Sequence, residues 1–289
     1  MGTSLHPGGA VSYHPPSPPP QSPVPAPTTS AYRLLRDNLG SIRRVYLRGN
    51  RIVRRGDFAQ HEETVLLLHG SFQTRNVWEV MEDRLRYDGF GALSFDLGGL
   101  LRSFGTRSTQ DLAALVAEKI ERVCARYDLE RIHVLGHSKG GLVARAWIQH
   151  HGGHERAKSL ITLGTPHHGT PTVLLGMPVE VWGLLTRTPF DRLPDSPLLR
   201  RLADDEFPPG IPLVSVYSRA DLVCPWPTSV LKPAPGAVLL RNVALTGIGH
   251  TALTTDPGVY RVVREELLAA ARLWKERAGG QAPADDAAP

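Results

Sequence analysis

The sequence predicts an α/β fold, a mostly parallel central sheet covered by helices on both faces. Three observations carry that expectation. Short apolar runs of strand type alternate with longer stretches of helical apolar spacing, which is the pattern of strand–helix–strand units. Runs such as 64–68 are apolar without alternation, as in strands buried on both faces. The chain has 289 residues, 41% hydrophobic and 21% charged, enough for one large core.

Residues 1–30 hold nine prolines and little apolar surface, so they are expected to form a disordered tail. Residues 31–278 then read as one domain, and 279–289 as a second disordered end. Residues 43–54 resemble a hairpin with Gly49-Asn50 at its turn. Strands are expected at 64–68, 90–95, 132–135, 160–163, 213–217 and 238–245. Helices are expected at 77–85 and 142–148. Another opens at Ser108-Thr109-Gln110-Asp111 in capping-box style, followed by Leu112, Leu115, Val116, Ile120 and Val123 at helical spacing. Asp256-Pro257 starts a last helix, with Asp as cap and Pro in the first turn. Residues 169–210 break the alternation. They are rich in Pro and Gly and apolar in the first half, and so long an insertion between strands is often functional.

Bulk properties narrow the partners. No run of about 18 apolar residues exists, so no membrane-spanning helix is expected. The net charge of +5 comes mainly from scattered Arg, which reads as a solvated surface rather than a nucleic-acid face. Cys124 and Cys224 do not make a disulfide framework; they read as two buried thiols, with a single bridge between them as the alternative. The N-terminus lacks the charged and apolar regions of a signal peptide, and His6 stands where a myristoylation site wants Ser or Thr. A cytoplasmic protein is the resulting expectation. His150, His151 and His154 read as a solvated cluster, and neither a metal nor a cofactor is expected.

The strongest chemical signal is Gly136-His137-Ser138-Lys139-Gly140-Gly141, with a strand before it and a helix after it. That context makes a Gly-x-Ser-x-Gly run a nucleophile turn, holding the Ser hydroxyl exposed beside a helix N-terminus. Serine needs a base, and in this arrangement an acid and then a His follow in chain order. His250, in Gly247-Ile248-Gly249-His250 after the last strand, is the expected base. Asp221, after the strand at 213–217, is the expected acid, which would fix the imidazole tautomer. Asp191, Asp195, Asp204 and Asp205 are rivals within the insertion. Asp256 reads as a helix cap and Asp96 as a turn residue. An oxyanion hole needs two backbone N–H groups. Lys139 is expected to supply one and Ser71 the other, with Phe72 the alternative to Ser71. His69 is expected to brace that loop.

Leu68-His69-Gly70, Gly136 to Gly141, Thr165-Pro166-His167-His168-Gly169 and Gly249-His250 together resemble the bacterial lipase/esterase (triacylglycerol lipase-like) branch of the α/β-hydrolases. The likeness spans roughly 62–275, and 132–141 fits the lipase-type serine signature. The resemblance implies an α/β-hydrolase fold and hydrolysis of carboxylic esters through an acyl-enzyme. It also implies a lid at 169–210, lipid or small-molecule ester substrates, and transient contact with a lipid surface. Phe72, His137, Leu174, Trp182 and Leu185 are the expected substrate contacts. Some members carry a calcium site and a disulfide, for which this sequence shows no convincing ligand set or Cys pairing, and Ser71 stands where an apolar residue is common. A thioesterase, amidase or lipid acyltransferase would use the same triad. A hydrolase fold that only binds is the reading of another class.

Overall fold

The computed structural model describes residues 56–71, 73–97, 107–170 and 193–280. The Pro-rich tail, the hairpin expected at 43–54 and the first half of the insertion lie outside these residues. Six strands form one sheet: β1 (Thr64–Leu68), β2 (Gly91–Phe95), β3 (Ile132–His137), β4 (Ala157–Leu163), β5 (Leu213–Ser218) and β6 (Leu240–Leu245). The order is β2-β1-β3-β4-β5-β6, and every neighbouring pair is parallel.

Among the described residues six α-helices accompany them: α1 (Glu79–Tyr87), α2 (Thr109–Tyr127), α3 (Lys139–His150), α4 (Pro197–Asp204), α5 (Trp226–Ser229) and α6 (Pro257–Gly280). Side chains of a strand alternate between the two faces of a sheet. Leu66, Leu68, Ile132 and Val134 accordingly pack with Leu112, Val116, Ile120 and Cys124 of α2 and Leu142 of α3. Val65, Leu67 and Leu135 turn the other way, onto Met81 and Leu85 of α1 and Val259, Val263 and Leu267 of α6. Two apolar layers thus cover the sheet, and the continuous apolar run of β1 is buried at all five positions.

Local signals fix the helix starts. Ser108 Oγ accepts from Asp111 N–H at 3.1 Å, and Asp111 Oδ2 accepts from Ser108 N–H at 3.2 Å, closing the capping box of α2. Asp256 Oδ1 accepts from the N–H groups of Gly258 and Val259, so it caps α6.

Boundaries differ in several places: β4 starts at Ala157 rather than 160, β3 ends at His137 rather than 135, and α3 runs 139–150 rather than 142–148. The helix expected at 77–85 begins as a 3-10 turn, Arg75–Trp78, capped by Thr74, and becomes α-helical only at Glu79. β6 starts at Leu240 rather than 238, because Gly236 at φ 72° places a turn there and leaves Val238 exposed. α6 runs to Gly280, two residues into the expected terminal tail.

The second half of the insertion folds. Ser196 caps α4 and Pro197 opens it, while Leu198, Leu199 and Leu202 are buried in the core. Arg145 of α3 donates from Nη2 to the Leu202 carbonyl and from Nε to Gln149. Gln149 Nε2 donates to the carbonyls of Leu202 and Asp205. These donors serve the carbonyls that a helix leaves unsatisfied at its C-terminus. Cys124 and Cys224 are buried and not joined in a disulfide.

In open parallel sheets ligands bind at the carboxyl ends of the strands, where the strand order reverses. Here the chain runs from β1 out to β2 and returns on the other side of β1 as β3, so the reversal lies between β1 and β3.

Candidate active site

Ser138 follows β3 directly and is the N-cap of α3, with φ 54° and ψ −126°. A non-glycine residue in that region costs about 1–3 kcal/mol and persists only when its surroundings hold it. Three hydrogen bonds hold it here. Ser138 N–H donates to Leu163 O at 2.9 Å, and Ser138 O accepts from Gly141 N–H at 3.1 Å and Thr165 Oγ1 at 3.0 Å. The turn aims the serine at the sheet edge beside the positive end of α3.

Asp221 sits in the loop after β5, fully buried at its side chain. Its Oδ1 accepts from Val223 N–H at 2.9 Å and Cys224 N–H at 2.8 Å. Its Oδ2 accepts from His250 Nδ1–H at 2.7 Å. A carboxylate at Nδ1 places that proton on Nδ1 and leaves Nε2 as the basic nitrogen. Ser218 Oγ accepts from both Ala220 N–H and Ile248 N–H at 3.2 Å, tying the acid loop to the loop that carries His250.

Gly164 closes the site from below at the end of β4. Its φ is 54°, and a Cβ there would stand 2.9 Å from Asp221 Oδ2, 3.2 Å from His250 Nδ1 and 2.8 Å from Leu253 Cδ1. Only glycine fits that space without moving the pair.

The loop after β1 approaches from the other side. A Cβ on Gly70 would lie 2.8 Å from Ser138 Cβ. Gly70 N–H donates to Gln73 Oε1 at 2.9 Å. His69 Nε2 accepts from Leu97 N–H at 3.1 Å, so its Nδ1–H donates to Gly70 O at 2.9 Å. His69 therefore braces the loop. Ser71 follows in the same turn and is half-buried. Lys139 is the first residue of α3, and its Nζ donates to Arg107 O at 3.2 Å.

Five other histidines of the described residues have partners away from the Asp221–His250 pair. His167 donates through Nε2–H to Thr162 Oγ1, whose own hydroxyl donates to Val214 O. Burial pushes its pKa well below the usual histidine range, and the charge of Arg145 adds to that. His168 Nε2–H donates to Val230 O at 2.8 Å. His150 pairs with Asp205 at 2.9 Å, and His151 contacts Gln110. At the far end of the sheet, buried His133 bridges Ser159 and Glu63. Burial would raise the Glu63 pKa, but His133 and Lys158 outweigh it and hold the carboxyl at about 2. Among the described residues no group of three His, Cys, Asp or Glu is placed to hold a metal ion.

A family model for the alpha/beta hydrolase fold matches residues 63–198. The lipase BlEst2 of Bacillus licheniformis, in its mature form, superposes with a TM-score of 0.58 at 16% identity, covering 76% of this chain and 96% of that one. The fold is that of the α/β-hydrolases. A monoacylglycerol lipase of Paleococcus ferrophilus is also similar, with a TM-score of 0.51 at 16% identity over 72% of this chain and 94% of that one. In sequence, the chain is 32% identical over 94 residues to a Pseudomonas putida enzyme, 2-hydroxy-6-oxononadienedioate/2-hydroxy-6-oxononatrienedioate hydrolase 1. That stretch spans 32% of this chain and about a third, 33%, of the length of the relative.

On this α/β-hydrolase frame Ser71 follows β1, Ser138 and Lys139 follow β3, and the paired Asp221 and His250 follow β5 and β6, each after the carboxyl end of a parallel strand. The rival acids fall elsewhere: Asp205 pairs with His150, Asp256 caps α6, and half-exposed Asp96 stands 3.7 Å from His69. Asp191, Phe72, Leu174, Trp182 and Leu185 lie outside the described residues, as does most of the expected lid. His137 is fully buried, with both ring nitrogens against protein oxygens, so its place is beneath the site rather than facing a substrate. Gln73, Gly164 and Ser218 had no signal in the sequence, since their roles depend on strands brought together by the sheet. No helix among the described residues is long and apolar enough to cross a membrane.

Proposed function

We propose that the chain is a serine hydrolase of carboxylic esters working through an acyl-enzyme, in the manner of a lipase or esterase. The observation that carries this is the 2.7 Å Asp221–His250 pair at the sheet edge that also presents the strained Ser138 turn. His250 Nε2 takes the Ser138 hydroxyl proton as Oγ bonds to the ester carbonyl carbon. The imidazolium then gives that proton to the departing alkoxide, leaving the acyl group on Oγ. Water reverses the sequence, with His250 again as base, and releases the acid. Asp221 holds the tautomer and stabilises the imidazolium. The N–H groups of Lys139 and Ser71 are the proposed oxyanion donors.

A panel of p-nitrophenyl esters of rising chain length, each run above and below its solubility limit, tests the reading. Hydrolysis that rises with chain length supports a lipase-like acyl pocket, and preference for acetate supports an esterase. The panel carries a second arm, 2-hydroxy-6-oxononadienedioate, because the Pseudomonas putida relative is named for it. Turnover of that compound with no ester hydrolysis overturns the ester assignment.

Gly164→Ala is expected to lower kcat on p-nitrophenyl esters by on the order of 10²-fold, because the added methyl displaces the Asp221–His250 pair. The left-handed φ adds a loss of about 1–2 kcal/mol in stability. Steady-state kinetics beside a melting curve check both. Parental kcat in the folded variant contradicts the placement of Gly164 beneath the pair.

A further inference from the structure

His137 lies between the three loops of the site. Its ring is 4.6 Å from the His250 ring, tilted by 43°, and stands edge-on to Trp78 at 6.3 Å. Nδ1 is 3.0 Å from Gln73 Oε1, the same oxygen that accepts from Gly70 N–H. Nε2 is 3.1 Å from the main-chain carbonyl oxygen of His250.

The ring is fully buried. Burial holds it neutral; a proton on His250 or His69 would push in the same direction, and the His250 carbonyl opposes. A neutral imidazole has one N–H. Here that single donor faces two acceptors, because Gln73 Oε1 is fixed as an acceptor by Gly70 N–H. With the proton on Nε2, His137 grips the backbone of His250.

We propose that His137 is a positioning residue that donates Nε2–H to the His250 carbonyl and so fixes the catalytic imidazole through its main chain. His250 is then held twice, by Asp221 through its ring and by His137 through its backbone. Without the second hold the ring is left free to pivot about the Asp221 contact. The inference rests on the triad reading above.

Three proteins are compared with the parent: His137→Phe, which keeps a ring and loses the N–H; His137→Gln, which keeps a donor; and Ser138→Ala. Kinetics use p-nitrophenyl butyrate across a range of pH. Low-field proton NMR of the substrate-free protein reads the Nδ1–H shared by His250 and Asp221, which needs no turnover. For His137→Phe, kcat is expected to fall by on the order of 10²-fold with KM little changed. The acid limb of its pH–rate profile is expected to shift and its low-field resonance to move or broaden. His137→Gln is expected to recover most of the rate and the resonance. If His137→Phe does not fold, His137→Leu serves in its place.

The proposal is overturned if the folded Phe or Leu variant keeps the parental kcat, pH midpoint and resonance. It is also overturned if His137→Gln loses as much as His137→Phe, since donation is then not what matters. A Ser138→Ala protein as active as the parent overturns the triad reading itself, which separates the two failures.

Discussion

Ser138→Ala is expected to lower ester hydrolysis by on the order of 10⁴-fold or more while the melting curve stays close to that of the parent. The loss follows from the chemistry: the acyl group has no oxygen to bond to, and what survives is general stabilisation by oxyanion donors and substrate binding. The fold should survive because the anchors of the turn are main-chain atoms and Thr165 Oγ1, none of which the substitution removes. The strained φ of 54° is kept for Ala, so no backbone strain is relieved. Steady-state kinetics on a p-nitrophenyl ester and circular dichroism measure the two halves. Near-parental activity in a sequence-verified variant removes the nucleophile from Ser138.

Asp221→Asn is expected to cost about 10³–10⁴-fold in kcat with little change in fold. An amide is close to isosteric but offers an N–H where Oδ2 now accepts, and turning it over sets that N–H against the N–H groups of Val223 and Cys224. Either way His250 is driven toward the wrong tautomer or left unheld. His250→Ala should fall at least as far. The three residues act as a unit, so Asp221→Asn combined with Ser138→Ala should be hardly slower than Ser138→Ala alone. Multiplicative losses in the double variant indicate independent roles and contradict a shared step. Full activity in Asp221→Asn, with Asp205→Asn inactive, reassigns the acid.

Much of this was legible in the chain itself, for local reasons. The nucleophile turn, the strand before it and the helix after it are contiguous in sequence, and so are the caps at Ser108 and Asp256. Asp221 and His250 were reachable because each follows a strand, and a parallel sheet sends the ends of its strands to one edge. What stayed hidden depends on packing between distant segments. Gly164 reads as an ordinary loop glycine until Asp221 and His250 arrive beside it. Gln73 and Ser218 act through loops joined only by the folded sheet. His137 is among the substrate contacts expected from the sequence. The sharp turn at Ser138 instead sends the two side chains apart, one to the edge and one into the core. The strand at 238–245 was started too early for a similar reason: apolar Val238 fits a strand pattern, but Gly236 turns the chain at that point.

The most direct test of the central claim is active-site labelling with a fluorophosphonate, followed by peptide mapping. The reagent bonds to a serine oxygen only where a base has activated it and an oxyanion site receives the phosphoryl oxygen. It therefore needs no knowledge of the natural substrate. One label per chain on Ser138, lost in His250→Ala and blocked in the heat-denatured protein, is the result expected. A folded protein that takes no label, or one labelled on a different serine, contradicts the assignment of Ser138, Asp221 and His250 as a working triad.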